Sequence, residues 1–376
     1  MTEGIKRDHA REERFMRMAL SFAMRGAASV SPNPKVGCVI VDESVSGGRL
    51  TAWGYHRIYG GPHAEVEALR KAGGRAAGCT VYVNLEPCCH EGKTPPCSEA
   101  LIKAGVSRVV IGAEDPNPKV SGGGAASLRG AGIDVSVGVL EEECRWLNRG
   151  FIRAMTMGRP WVTVKAAISI DGEMALQNGE SRWISGSESR KRAHLMRAEN
   201  DAVLVGVGTI LKDDPELTVR NADGRSPMKI IMDRDLDTPP DAKVLDEGKC
   251  MFFTSPSSDE GRAGELSRRG AAIMRQEGPM ERRLSIDELL GRLVPYGINN
   301  LMVEGGAKLI GSFISSRLVD EFSLFVAPRL LGQGLDLLGG MTFKHMEEAV
   351  SMKRLRIRRT GDDIWFEGIP SCSPAL

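Results

Sequence analysis

The sequence predicts an α/β protein built as two domains. Three observations carry that reading. A chain of 376 residues exceeds what one ordinary core organises. Extended and helical patterns alternate in both halves, as they do where helices cover a sheet. Between the halves, the charged stretch from Glu141 to Arg159 runs into Met157-Gly158-Arg159-Pro160 and reads as a closing helix and linker. Domains are therefore expected over residues 10–156 and 160–370.

In the first half, Phe15, Met18, Ala19 and Phe22 fall at helical spacing within Glu12 to Ala27, and Ser31-Pro32-Asn33-Pro34 stops that helix. Val36 to Asp42 reads as a buried strand, Gly47-Gly48 as a hairpin turn, and Leu50 to Tyr55 as the returning strand. A helix follows from Ala64 to Lys71, ended by Gly73-Gly74. Thr80 to Leu85, Val106 to Gly112 and Val135 to Val139 are expected strands, with a helix from Cys97 to Ala104. In the second half, strands are expected over Trp161 to Ile168, Ala202 to Val207, Lys229 to Asp233, Cys250 to Thr254, Leu301 to Val303 and Glu321 to Val326. Helices are expected over Ser187 to Glu199, Ile286 to Val294 and Ala307 to Ser315, and Ser255 to Arg262 reads as a polar turn. No internal repeat links the halves.

Chemistry concentrates in the first half. His63 and Glu65 open a helix, and Glu86-Pro87-Cys88-Cys89 and Pro95-Pro96-Cys97 follow, the first after a strand. One imidazole and two thiolates suit zinc by ligand type, and three protein ligands leave a coordination position for water whose pKa the metal lowers. Helix starts also favour thiolates. Glu65, two residues past the histidine, stands where a proton shuttle is needed, although a glutamate on a helix is most often a surface group. The His-x-Glu and Pro-Cys pattern is similar to that of zinc deaminases of nucleobases, with a longer spacing to the second cysteine. Sequence does not show which of Cys88 and Cys89 points inward; the place directly after proline favours Cys88, leaving Cys89 to packing. His56, His90 and Lys93 surround these segments as substrate contacts or plain loop residues.

Composition narrows the partners. A net charge of +1 and aromatic content of 5% give neither a broad basic surface nor base-stacking platforms, so no nucleic acid is expected. No apolar run reaches membrane-spanning length, and Met1 to Arg14 is charged rather than arranged as a signal peptide, so the reading is cytoplasmic with no membrane partner. Eight cysteines, two of them adjacent, suit reduced thiols serving a metal better than disulfides in a chain of this length.

The second half carries Val164 to Gly172 (VKAAISIDG), Glu180-Ser181-Arg182-Trp183-Ile184, Val205-Gly206-Val207-Gly208-Thr209, Asp213-Asp214-Pro215 and Val303-Glu304-Gly305-Gly306. Gly206 and Gly208 lack the third glycine of a dinucleotide fingerprint. Gly305-Gly306, between strand and helix, is either a phosphate-approaching turn or a plain tight one. Lys165 inside an apolar strand is a satisfied structural lysine or a site group. Arg197 and Arg220 are phosphate grips or surface groups.

Together these strings resemble, over roughly residues 12 to 370, the bifunctional riboflavin-biosynthesis family that joins a pyrimidine deaminase to a pyrimidine reductase. Ser31 to Gly37, His63-Ala64-Glu65, Glu86-Pro87-Cys88, Gly92 to Cys97 and Asp115-Pro116-Asn117-Pro118 carry the deaminase resemblance, and the motifs from Lys165 onward the reductase one. The resemblance implies a cytidine-deaminase-like α/β/α domain followed by a dihydrofolate-reductase-like α/β domain. It implies zinc on His63, Cys88 and Cys97, with Glu65 as proton shuttle. Asn33, His56, His90, Lys93 and Asn117 would line the pyrimidine pocket. Ala167, Trp183, Thr209, Asp213, Gly305 and Gly306 would contact NADPH. Lys165, Ser181, Arg197, Leu217, Arg220 and Glu304 would hold a phosphorylated pyrimidine, Lys165 at the reacting centre, and a homo-oligomer is expected. Two departures stand out: Cys89 replaces an expected serine, and Gly122-Gly123-Gly124 lacks an expected arginine. The rival readings are a nucleic-acid deaminase and a non-catalytic zinc-stabilised binding protein.

Overall fold

The computed structural model describes residues 2–27, 29–89, 95–117, 120–277 and 283–376. The chain divides into two compact units, Met1–Gly158 and Arg159–Ala375.

In the first unit the elements run α1 (Thr2–Ala23), β1 (Gly37–Asp42), β2 (Arg49–Tyr55), α2 (Ala64–Ala72), β3 (Thr80–Leu85), α3 (Cys97–Lys103), β4 (Arg108–Ala113), α4 (Gly123–Gly130), β5 (Asp134–Val137), α5 (Glu141–Leu147) and α6 (Arg149–Met157). Among the described residues the strands form one sheet in the order β2-β1-β3-β4-β5. β1 is antiparallel to both β2 and β3, while β3, β4 and β5 are parallel. Alternate strand residues bury on opposite faces. Cys38, Ile40, Val81, Val83 and Ile111 pack under the alanines of α2 with Leu101 and Leu128, while Val39, Val41, Tyr82 and Val110 pack under Phe15, Met16 and Ala19 of α1. Gly54 on β2 is required by this packing: a Cβ there would stand 2.2 Å from the Ala64 carbonyl oxygen. The start of α2, with His63 and Glu65, thereby sits directly on the sheet.

The second unit contains β6 (Trp161–Ser169), β7 (Glu173–Leu176), α7 (Ser187–Glu199), β8 (Ala202–Gly206), α8 (Val207–Asp213), β9 (Met228–Met232), β10 (Cys250–Thr254), α9 (Glu260–Arg268), β11 (Ala272–Arg275), α10 (Ile286–Leu293), β12 (Asn300–Val303), α11 (Ala307–Ser315), β13 (Glu321–Ala327), β14 (Gly334–Asp336), β15 (Met352–Thr360) and β16 (Asp363–Pro370). Its main sheet has the order β11-β10-β9-β8-β12-β6-β13-β16-β15, parallel through β13 and antiparallel thereafter; β7 and β14 pair separately. Leu289, Leu290 and Leu293 of α10 and Ile310 and Phe313 of α11 cover one face, and Met196 of α7 with Ala263 and Leu266 of α9 cover the other. The carboxyl ends of β8, β12 and β6 converge where the winding reverses, the place where open α/β sheets bind ligands. No described helix is long and apolar enough to cross a membrane.

Several local expectations differ from the structure. α1 starts at Thr2 rather than Glu12 and gives way to a 3-10 turn, Met24–Gly26. The stretch after Glu141 is two helices meeting at Asn148. Part of the polar Ser255 to Arg262 stretch is helical, because Asp259 caps α9 by accepting the Arg262 N–H at 2.8 Å.

Candidate active sites

At the end of β3 and the starts of α2 and α3, the structure brings His63, Cys88 and Cys97 together, with their ligand atoms within 4.8 Å of one another. The histidine turns Nδ1 toward the sulfurs, 3.2 Å from Cys97 Sγ and 3.6 Å from Cys88 Sγ. The Cys97 N–H donates to Cys88 Sγ at 3.3 Å. Hydrogen bonding from the Cys97 thiol holds the Cys88 pKa down at about 4 against its burial, with His63 assisting, and pushes Cys97 upward in turn. Glu65 is 3% exposed, and its Oε2 has no hydrogen-bond partner. Burial raises its pKa to about 6. A nitrogen and two sulfurs facing one point, beside a buried carboxylate oxygen without a partner, fit a zinc ion with an open position.

The walls of this site are built from side chain to backbone bonds. Asn84 and Asn148 both grip Lys35: Asn84 Nδ2 and Asn148 Nδ2 each donate to its carbonyl at 3.0 Å, and its N–H donates to Asn148 Oδ1 at 2.7 Å. That fixes the segment carrying Asn33. His56 Nδ1 lies 2.9 Å from the Pro62 carbonyl and so carries the proton, leaving Nε2 to accept from Asn33 Nδ2 at 3.1 Å. Glu86 accepts the N–H groups of Asp115 at 3.3 Å and of Gly122 and Ala125 at 3.0 Å, tying the Asn117 loop and the start of α4 to the ligand-bearing segment. Gly124 stands where a Cβ would meet the Pro87 carbonyl at 2.0 Å, so α4 abuts the residue before Cys88. Cys89 Sγ turns away, toward the Val120 carbonyl at 3.9 Å. His90 and Lys93 lie outside the described residues.

In the second unit a cleft of about 1880 Å³ opens at the carboxyl ends of β6, β8 and β12. It is lined by Lys165, Ala167, Ser181, Trp183, Arg197, Thr209, Asp213, Arg220, Glu304, Gly305 and Gly306. Glu304 is the electrostatic centre. It accepts from Lys165 Nζ at 3.2 Å and from Arg197 Nε at 2.8 Å. Burial alone would raise its pKa, but the Arg197 and Lys165 charges hold it at about 2. Arg197 Nη1 also donates to the Thr218 carbonyl at 3.0 Å, and Arg220 pairs with Glu216 at 2.5 Å. Trp183 lies 61% exposed with the Arg190 guanidinium 4.6 Å above its ring. Leu217, expected among the substrate contacts, packs its side chain in the core with a φ of 56°, and its neighbour Glu216 lines the cleft.

Comparison with known proteins decides the family. Residues 9–113 match the cytidine and deoxycytidylate deaminase zinc-binding region, and residues 160–366 match the RibD C-terminal domain. The riboflavin biosynthesis protein RibD of Aquifex aeolicus is 41% identical over 354 residues, covering 94% of this chain and 97% of its own.

The chain belongs to the RibD family.

RibD of Escherichia coli is 39% identical over 369 residues, covering 94% and 98% of the two chains. Among solved structures, Acinetobacter baumannii RibD superposes with a TM-score of 0.87 at 38% identity, covering 97% of this chain and 100% of that one. A diaminohydroxyphosphoribosylaminopyrimidine deaminase/5-amino-6-(5-phosphoribosylamino)uracil reductase from Thermotoga maritima gives 0.84 at 35% identity, covering 96% and 99%. This RibD family member is a bifunctional deaminase and reductase of riboflavin biosynthesis, with a zinc-binding deaminase domain and an NADPH-dependent reductase domain.

Two further residues belong to these sites. Glu86, quoted above only as part of a motif, organises the deaminase loops, and its signal is an acidic residue directly after the fully buried β3. His194 lines the reductase cleft three residues before Arg197, on the same helical face. Its burial, then the charges of Arg197 and Arg220, push its pKa down and favour neutral imidazole.

Proposed function

We propose that the first unit, over residues 10–156, hydrolyses an amine from 2,5-diamino-6-(5-phosphoribosylamino)pyrimidin-4-one, and that the second, over 160–370, reduces the ribosyl group of the product to ribityl 5-phosphate. The observation that carries the first half is the meeting of His63 Nδ1 and the two sulfurs beside the unpartnered Glu65 oxygen. A zinc ion held by His63, Cys88 and Cys97 supplies Lewis acidity toward water. Glu65 takes a proton from the attacking water and delivers it to the departing amine nitrogen, so that water is consumed, ammonia leaves and a carbonyl remains. Asn33, held by His56, offers its Oδ1 as an acceptor to the pyrimidine, and Asn117 would be a further contact.

In the cleft, NADPH supplies hydride. Gly305 and Gly306 at the start of α11 would bind it through backbone, with Ala167, Trp183, Thr209 and Asp213 on the same lining as its further contacts. Arg197 and Arg220 grip the substrate phosphate. Lys165 and Ser181, on the lining of the cleft, would hold the sugar, where orientation lowers the barrier to hydride transfer. Glu304 keeps Lys165 and Arg197 charged and in place.

A coupled assay on the purified chain with zinc, NADPH and the pyrimidine phosphate tests both halves through ammonia and absorbance. Glu65→Ala is expected to retain stoichiometric zinc while losing ammonia release by at least about a hundredfold. Unchanged release in that variant would make the metal purely structural. Ammonia from an oligonucleotide and none from the pyrimidine would favour the nucleic-acid reading instead.

We also propose a cytoplasmic homo-oligomer. Leu355, Ile357 and Ile364 are 52%, 64% and 49% exposed on the outermost strands β15 and β16, apolar area of the kind that subunit contacts cover. A monomer in sedimentation at micromolar concentration would count against it.

A further inference from the structure

β6 carries Lys165 and Ala167 along the cleft and ends at Ser169, after which the chain reverses through Asp171 and Gly172. It returns as β7, which pairs with β14 in a two-stranded ribbon apart from the main sheet. So small a ribbon has little stability of its own and needs an anchor. The anchor is visible. Ser169 is fully buried, and its hydroxyl donates to Asp171 Oδ1 and accepts the Glu173 N–H at 2.9 Å. Asp171 Oδ2 accepts the N–H groups of Leu331 at 3.0 Å and Gly332 at 2.8 Å. One carboxylate thus joins the root of β7 to the root of β14 by charge-assisted bonds.

The ribbon faces the cleft along its length: Met174, Ala175, Gly334, Leu335 and Asp336 line it. The segment just beyond β14 presses on α11: a Cβ on Gly339 would meet the Ala307 carbonyl at 2.6 Å, and a Cβ on Gly311 would meet that of Leu338 at 2.4 Å. Ala307 is the first residue of α11 and follows the Gly305-Gly306 turn. Contact therefore runs from Asp171 through the ribbon to the first turn of the helix that holds the cofactor phosphates.

We propose that Asp171 is a positioning residue of the reductase, which fixes the β7–β14 ribbon as a wall of the NADPH site without itself lining the cleft. The inference rests on the assignment of the Gly305-Gly306 turn to NADPH. A wall of the site acts on binding in the ground state and the transition state alike, so its loosening is expected to weaken binding and leave the chemical step alone.

The test is steady-state reductase kinetics of the full chain on the deaminated pyrimidine, with hydrogen exchange of residues 332–340. Asp171→Ala is expected to raise the KM for NADPH about tenfold, with kcat within about twofold and faster exchange in that segment. Ser169→Ala, which keeps the carboxylate but removes one partner, shifts KM in the same direction by less. Asp171→Asn, which keeps one acceptor oxygen, falls between wild type and Asp171→Ala. An unchanged KM for NADPH in Asp171→Ala, or a fall in kcat at constant KM, overturns the proposal. Failure of the wild-type chain to bind NADPH at all overturns the cofactor assignment beneath it, a separate result.

Discussion

Glu304 carries two cations on one carboxylate, and its ionisation is a stability statement. Its pKa lies near 2 in the folded chain against 4.5 ordinarily. A depressed carboxylate stabilises the fold fully above the unfolded value, and that contribution is lost as pH falls from about 4.5 toward 2, on the order of 3 kcal/mol in all. Glu304→Gln is therefore expected to lower the melting temperature of the reductase unit at pH 7 and to flatten its dependence on pH between about 2 and 4.5. A variant whose melting curve tracks wild type across that range would show that Lys165 and Arg197 find other partners. Lys165 looked ambiguous as a lysine in an apolar strand. The structure gives it a carboxylate supplied by another strand end, 139 residues away, which no local pattern reveals.

At the level of elements, helices and strands position the chemistry through close backbone contact. A larger side chain at Gly54 displaces the first turn of α2, since even a Cβ would stand 2.2 Å from the Ala64 carbonyl. Gly54→Val is expected to cost about 1–3 kcal/mol and to reduce zinc content after purification, read by thermal melting and elemental analysis. Full zinc occupancy at unchanged melting temperature would show that the β2–α2 contact yields easily. The bounds of α2, β3, α7, α11 and the buried strands were legible beforehand, α11 and the strands from apolar pattern, α7 in spite of its polar composition. α4 was not, because Gly122-Gly123-Gly124 reads as a loop and becomes helical only where Glu86 accepts its orphan amides. β15 was hidden too. Its only alternation, Leu355-Arg356-Ile357-Arg358, is short, set among charges and exposed, and it is a strand because β16 pairs with it.

Across the whole molecule, the His63, Cys88 and Cys97 cluster was legible because its donors sit in short, spaced motifs, whereas the reductase cleft gathers single residues from β6, α7, α8 and the β12–α11 turn. Leu217 shows what a motif leaves out: its side chain faces the core, so any contact it makes with substrate is through its main chain. The size of the cleft carries one last consequence. At about 1880 Å³ it is roughly twice the upper end of the 300–1,000 Å³ that ordinarily encloses a single drug-sized ligand. Nucleotide and sugar can therefore reside there simultaneously, and reduction need not pass through an enzyme form that stores the electrons after the first product has gone. Initial-velocity lines at varied concentrations of the two reactants should intersect, and parallel lines would show that the two take turns.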